Sequence, residues 1–106
     1  MKLPKYFGRP RKLNLLMVRR VAGQSMVPAL PPGRLVLAVP ASKIARGDVV
    51  IILHDGLEKI KRVADIDAQN RLYVLGDNQG QSTDSRVFGW VEADQVLAKA
   101  VWPRNI

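Results

Sequence analysis

The sequence predicts a mainly β protein, a single small domain of antiparallel sheet. Three observations carry this expectation. Short apolar, β-branched runs recur along the chain, with Pro, Gly and Asp clusters between them. Val49 to Leu53 is a continuous apolar run of the kind a buried strand needs. Asp55-Gly56 then separates it from a second strand-like run, Leu57 to Ala64. Asp-Gly is a strong hairpin signal, because both central turn positions require positive φ.

Taken in order, residues 1–12 hold Pro4, Gly8 and Pro10 among five basic residues and read as an irregular arm. The remaining residues, 13–106, form the domain. Leu13 to Ala22 reads as a first strand. Gly23 to Gly33 contains three prolines and two glycines, so it is a turn region with at most one short helical turn. Leu35 to Val39 is a strand ended by Pro40. After the hairpin come Leu72 to Leu75, a polar loop over 76–86, a short strand over Val87 to Val91, a turn at Glu92 to Gln95, and a last strand, Val96 to Trp102, stopped by Pro103. Seven short strands with turn chemistry between them favour antiparallel pairing.

Composition narrows the function. The 106 residues suit one domain and are 47% hydrophobic, enough for a core without staples. There is no cysteine, which excludes disulfides, thiolate catalysis and cysteine–zinc sites. One histidine and scattered carboxylates give no metal-ligand spacing, and no cofactor is expected. The formal charge of +8 is uneven. Residues 1–20 hold seven Lys/Arg and no acid, while 21–106 hold ten against nine, a net +1. A uniformly basic nucleic-acid face is therefore disfavoured, and a basic arm is not. No run approaches the ~18 apolar residues of a membrane helix, and the basic start lacks the apolar stretch of a secretory signal peptide.

The stretch "VAGQSMVPAL", Val21 to Leu30, raises the chemical question. Ser25 is either a turn residue or a nucleophile, and a nucleophile needs a base. His54 sits beside the Asp55-Gly56 turn, where side chains usually face solvent. A lysine can replace it if burial destabilises its ammonium, since desolvation lowers a lysine pKa by as much as ~3–5 units. Arg62 is excluded because it does not deprotonate. Strand alternation puts Leu57, Lys59, Lys61 and Val63 on one face, and Lys61 lies deeper than Lys59. The plain alternative is a strand lysine that reaches water.

"GQSMVPAL" resembles the nucleophile box of the signal peptidase I family. "IKRV", Ile60 to Val63, resembles the box with its lysine base, and "YVLGDNQGQSTDSRVFGWV", Tyr73 to Val91, resembles its long Gly-Asp-Asn…Ser-x-Asp-Ser-Arg box. "RGDVVII", Arg46 to Ile52, resembles the strand between the first two, and "VLAKAVWP" the final strand. The resemblance implies the fold of the family's catalytic core and a serine endopeptidase that cuts signal peptides or pro-segments after small residues. It implies Ser25 as nucleophile, its N–H as an oxyanion donor, Lys61 as general base, and Ser82 as the residue orienting the lysine amine. Asp84 and Arg86 would brace the site, and Gly76, Asp77 and Asn78 would shape the turn, with Gly76 and Gly80 in backbone conformations other residues avoid. Met26 would be a core plug and wall the substrate pocket.

Departures are visible. Gly23 stands where some members have a second oxyanion hydroxyl, Ala29 replaces a threonine, and Arg34 an aspartate. Fourteen residues separate Lys61 from Gly76, so the large inserted domain of long members is missing, as is a transmembrane anchor. The substrate would bind as an added extended strand. An anionic membrane surface is a further expected partner, met by the basic arm or by Trp90 and Trp102. Two related readings are a soluble maturation protease for one partner, similar to those for nickel superoxide dismutase, and a self-cleaving repressor; the latter needs a DNA-binding domain that is not visible. A third is a non-catalytic module whose arm binds acidic lipid or nucleic acid.

Overall fold

The computed structural model describes residues 16–40 and 43–106. The expected arm, residues 1–12, lies outside them. Six strands form one antiparallel sheet: β1 (Met17–Arg20), β2 (Leu35–Val39), β3 (Val49–His54), β4 (Leu57–Ile66), β5 (Leu72–Leu75) and β6 (Val96–Trp102), in the order β1-β2-β6-β3-β4-β5. The antiparallel β expectation holds.

β3 is the centre of the sheet because its sequence suits no other place. Val49, Val50, Ile51 and Ile52 are all buried, so both faces of the strand are covered. β3 pairs with β4 and β6 on its two sides. The hairpin to β4 turns through Asp55 at φ 52° and Gly56 at φ 76°. Both are left-handed, as a two-residue turn matched to strand twist demands.

Residues from the two sheet faces build separate cores. Val50, Ile52, Val63, Leu72, Val74 and Val91 pack on one side. Val21, Met26, Leu30, Val36 and Val49 pack on the other, beneath the 21–34 loop. Met17 of β1 and Ile60 of β4 both pack on a third cluster of Ala38, Ile51 and Ala98. Three strands separate β1 from β4 in the sheet order, so this shared contact requires the sheet to curl until its first edge approaches β4. Irregular pairing at Leu37/Ala38, Ile51/Ile52 and Val63/Asp65 supplies local bends.

Three expectations are corrected. The first strand is shorter than read, Met17–Arg20 within the described residues, because Val21 leaves the sheet to enter the core. Val87 to Val91 is not a strand. Asp84 caps a short helix α1 (Ser85–Phe88) by accepting the N–H of Arg86, and only Val91 bridges to Leu72. The described sheet therefore has six strands, not seven.

Ile51→Ala should cost roughly 2–5 kcal/mol, because Ile51 is fully buried at the sheet centre. Leu57→Ala, at 62% exposure, should stay within about 0.5 kcal/mol. Urea unfolding of the two variants measures the contrast.

Candidate active site

The loop that carries Ser25 leaves β1 and returns to β2 through a closed neck. Val21 donates to the carbonyl of Arg34, and Gly33 to that of Val21, each at 2.8 Å. Met26 and Leu30 point down from the loop and are almost wholly buried. They fix the height of Ser25 above the core, and Met26 is the plug that its position suggested. The remaining tie comes from Asn78. Its N–H donates to the Ser25 carbonyl at 2.8 Å and its side-chain amide to the Gln24 carbonyl at 3.1 Å.

Lys61 approaches from β4. Leu57, Lys59, Lys61 and Val63 do share a face, and only Lys61 and Val63 of the four are buried. Lys61 is 5% exposed. Its Nζ donates to Ser82 Oγ at 3.1 Å. Burial pushes its pKa below the ordinary lysine value; Asp84 opposes the shift, and Lys59 and Arg86 reinforce it. Ser25 and Lys61 line one cleft of about 220 Å³, together with Arg19, Arg20, Val21, Ala22, Glu58, Lys59 and Ile60. His54 is not in that lining. Its ring stacks on Phe88 at 4.0 Å and lies 3.0 Å from Lys59 Nζ, so it is half-buried and engaged elsewhere.

Behind Lys61 lies a buried carboxylate. Asp84 is fully buried, and each of its oxygens is used. Oδ2 accepts from the Ser82 hydroxyl at 2.8 Å, Gly76 N–H at 2.9 Å and Arg86 Nη2 at 3.0 Å. Oδ1 accepts from Arg86 Nε at 2.9 Å and Arg86 N–H at 3.2 Å. Burial alone would raise its pKa. The Arg86 guanidinium, Gly76 N–H and Ser82 hydroxyl together outweigh burial and hold it well below the usual carboxylate range. The pair is thus no surface ion pair.

The Ser82 hydroxyl has one proton, and Asp84 takes it. Toward Lys61 it can only accept. The lysine lone pair is therefore left free, which is what a base aimed at another hydroxyl requires.

Gly76 has a different role from the one expected. Neither Gly76 nor Gly80 has positive φ. Gly76 is needed for close approach: a Cβ there would lie 2.2 Å from Ser82 Oγ and 2.7 Å from the Ser25 carbonyl oxygen. Gly80 shows no such constraint. Asp77 does more than shape a turn. It holds Arg62 with two hydrogen bonds, at 2.8 and 3.0 Å, and Arg62 also donates to the carbonyls of Gly47 and Ile106. Sequence reading missed Arg62 and the buried Ser85, whose hydroxyl accepts the Val74 N–H at 2.8 Å. Both lie inside the quoted boxes, and that was their only signal. A larger hollow of about 620 Å³, lined by Ile44, Ile66, Leu72 and Val96 among others, contains none of the candidate residues.

Residues 65–104 match the family model described as signal peptidase, peptidase S26. The matched segment spans Gly76 to Arg86 and begins after Lys61, so neither Ser25 nor Lys61 lies within it. The match concerns the family as a whole and does not single out maturation proteases for nickel superoxide dismutase. No curated protein gives a match to the chain.

Asp84→Asn should destabilise the domain by roughly 2–3 kcal/mol at neutral pH, by leaving the Arg86 donors poorly paired. The depressed carboxylate contributes stability that is present above its unfolded pKa near ~4 and is lost as pH falls from there. Between about pH 4 and about pH 2 the wild type should therefore lose stability faster than Asp84→Asn. Lys61→Met has the opposite sign. A lysine with lowered native pKa costs stability at neutral pH, and the cost disappears as pH rises toward the ordinary 10.5. Lys61→Met should raise Tm at pH 7, with the gain shrinking in alkali. Thermal melts across pH check both.

Proposed function

We propose, supported by the match of residues 65–104 to the signal peptidase family model, that this chain is a serine endopeptidase using Ser25 and Lys61. The observation that carries the reading is the shared cleft, lined by a part-exposed serine and a desolvated lysine. Ser25 Oγ attacks a peptide carbonyl while neutral Lys61 takes its proton. The same lysine returns that proton to the leaving amine as the acyl-enzyme forms. Water, giving its proton to Lys61, then releases the acyl product. The Ser25 N–H, which has no partner among the described residues, would bind the developing oxyanion on this reading.

The balance of charges behind Lys61 supports the role. A lone buried carboxylate would hold the lysine in its ammonium form. Burial lowers the lysine pKa despite Asp84, and Arg86, paired with that carboxylate, adds to the lowering.

Substrate docking follows from the free edges. Among the described residues β1 pairs with β2 alone, and Leu57 to Lys61 of β4 pair with β3 alone, because β5 begins pairing at Arg62. An extended peptide entering between them meets unpaired backbone groups on both sides. Among the described residues no helix is long and apolar enough to cross a membrane. Val18, Leu35 and Trp102 are each 39–49% exposed, which supports peripheral contact with lipid as part of this reading.

Ser25→Ala and Lys61→Ala should each lower kcat/KM on a cleaved peptide by about a hundredfold or more, with unchanged circular dichroism. Lys61→Arg should not rescue, since arginine stays charged. The wild-type rate should rise with pH, with a midpoint below 10.5. Retention of a tenth of the wild-type rate by Lys61→Ala would remove it as the base. Co-sedimentation with anionic vesicles tests the lipid contact: it should occur and weaken in Trp102→Ser, and its absence would sink that part.

A further inference from the structure

Two peptide planes meet at the Cα of Ser25, and one residue from a distant segment holds both. The Gln24 carbonyl accepts from the Asn78 side-chain amide at 3.1 Å. The Ser25 carbonyl accepts from the Asn78 main-chain N–H at 2.8 Å. The first of these bonds bears on the oxyanion donor. The Gln24 carbonyl and the Ser25 N–H belong to one planar trans peptide and point in opposite directions, so fixing one fixes the other. Val27 N–H also donates to the Gln24 carbonyl, at 3.2 Å, but Val27 belongs to the same loop and turns with it. Asn78 instead ties the peptide to the sheet. Its neighbour Asp77 is clamped by Arg62 of β4, the residue next to Lys61. Its own carbonyl accepts from the Gln81 N–H at 2.9 Å.

The use made of this carboxamide is unusual for its place in the chain. Asn78 immediately precedes the short 3-10 turn Gln79–Gln81. An asparagine there ordinarily accepts a main-chain N–H of the turn through its side-chain oxygen. Asn78 makes no such bond. Its amide goes to Gln24, 54 residues away. The loop does not need that contact for its height, which the buried Met26 and Leu30 already set. Those anchors leave a peptide plane free to rotate. Opposed changes of ψ at Gln24 and φ at Ser25 would swing the Ser25 N–H away while both Cα atoms stay nearly still. This inference rests on the reading of Ser25 as nucleophile and its N–H as oxyanion donor. We propose that Asn78 is a positioning residue of the oxyanion hole: its carboxamide keeps the Ser25 N–H aimed at the developing charge, and the Arg62–Asp77 clamp refers that donor to the strand that carries the base.

The experiment uses the full chain and fluorogenic peptides with alanine before the scissile bond. Asn78→Ala removes the side chain. Asn78→Asp keeps its shape and the main-chain N–H and removes only the donor, so it serves if the first variant folds poorly. Circular dichroism and thermal melts check both. Each should lower kcat about ten- to a hundredfold, no more than outright loss of an oxyanion donor. KM should stay within about twofold of the wild type, because the donor acts on charge present only in the transition state. The midpoint of the pH–rate profile should not move in Asn78→Ala, since Lys61 keeps its surroundings. Amide 15N relaxation gives a reading independent of turnover. In Asn78→Ala the Ser25 order parameter should fall from the rigid range near ~0.85 to below ~0.6, while those of Met26 and Lys61 hold. A kcat within about twofold of the wild type in both variants, or a slower kcat with the Ser25 amide as rigid as before, overturns the proposal and leaves the peptidase standing. A displaced pH midpoint does the same, by placing the effect on the lysine. No cleavage of any peptide by the wild type is a separate result: it sinks the serine–lysine mechanism, and this inference with it.

Discussion

The geometry of the candidate site depends on one buried carboxylate. Asp84 draws a hydroxyl, two backbone N–H groups and a guanidinium onto its two oxygens. Each donor belongs to a different job. Gly76 follows β5 and lies against the Ser25 carbonyl, Ser82 faces the lysine, and Arg86 lies in the first turn of α1. Burying a charge is tolerable only with this degree of satisfaction. The cluster then behaves as a unit: a change in any donor alters the hydroxyl that meets Lys61.

A second constraint acts in the opposite sense. Lys61 is held where its charged form is disfavoured, and the fold sacrifices some stability to keep it there. The carboxylate beside it is stabilised and the amine destabilised, although the two are joined through a single serine hydroxyl. Burial is the main cause of the lowered lysine pKa, and the Arg86 guanidinium both stabilises the Asp84 carboxylate and adds to the lysine's shift. That guanidinium satisfies the carboxylate without offering the lysine another anion.

Local signals explain how much of this was legible in the sequence. Asp55-Gly56 declared its turn because the conformation is a property of two residues. The all-apolar Val49–Ile52 declared a central strand because no half-covered strand needs both faces dry. Alternation puts Lys61 and Val63 on a shared face, but the burial of that face is tertiary, and a strand lysine reaching water fits the same pattern. α1 was misread because Val87, Phe88 and Val91 carry strand-like side chains, while the deciding interaction is the Asp84 cap at the start of the turn. Gly76 was assigned a backbone reason when its true reason is the nearness of Ser82 and the Ser25 carbonyl. Such proximity is tertiary and leaves no mark on local pattern. The same holds for Asn78 and Arg62, whose partners lie in distant segments.

The open edges of β1 and β4 have another consequence. A strand that offers unpaired N–H and C=O groups to a substrate offers them equally to a second copy of the same protein, and such edges are where sheets fuse into aggregates. Here β1 is only four residues long, and Arg19, Arg20, Glu58 and Lys59 line the gap. Two copies meeting through β1 would bring Arg19 and Arg20 of each together. On the proposed reading, those charges disfavour self-association at the edge where a substrate strand would pair.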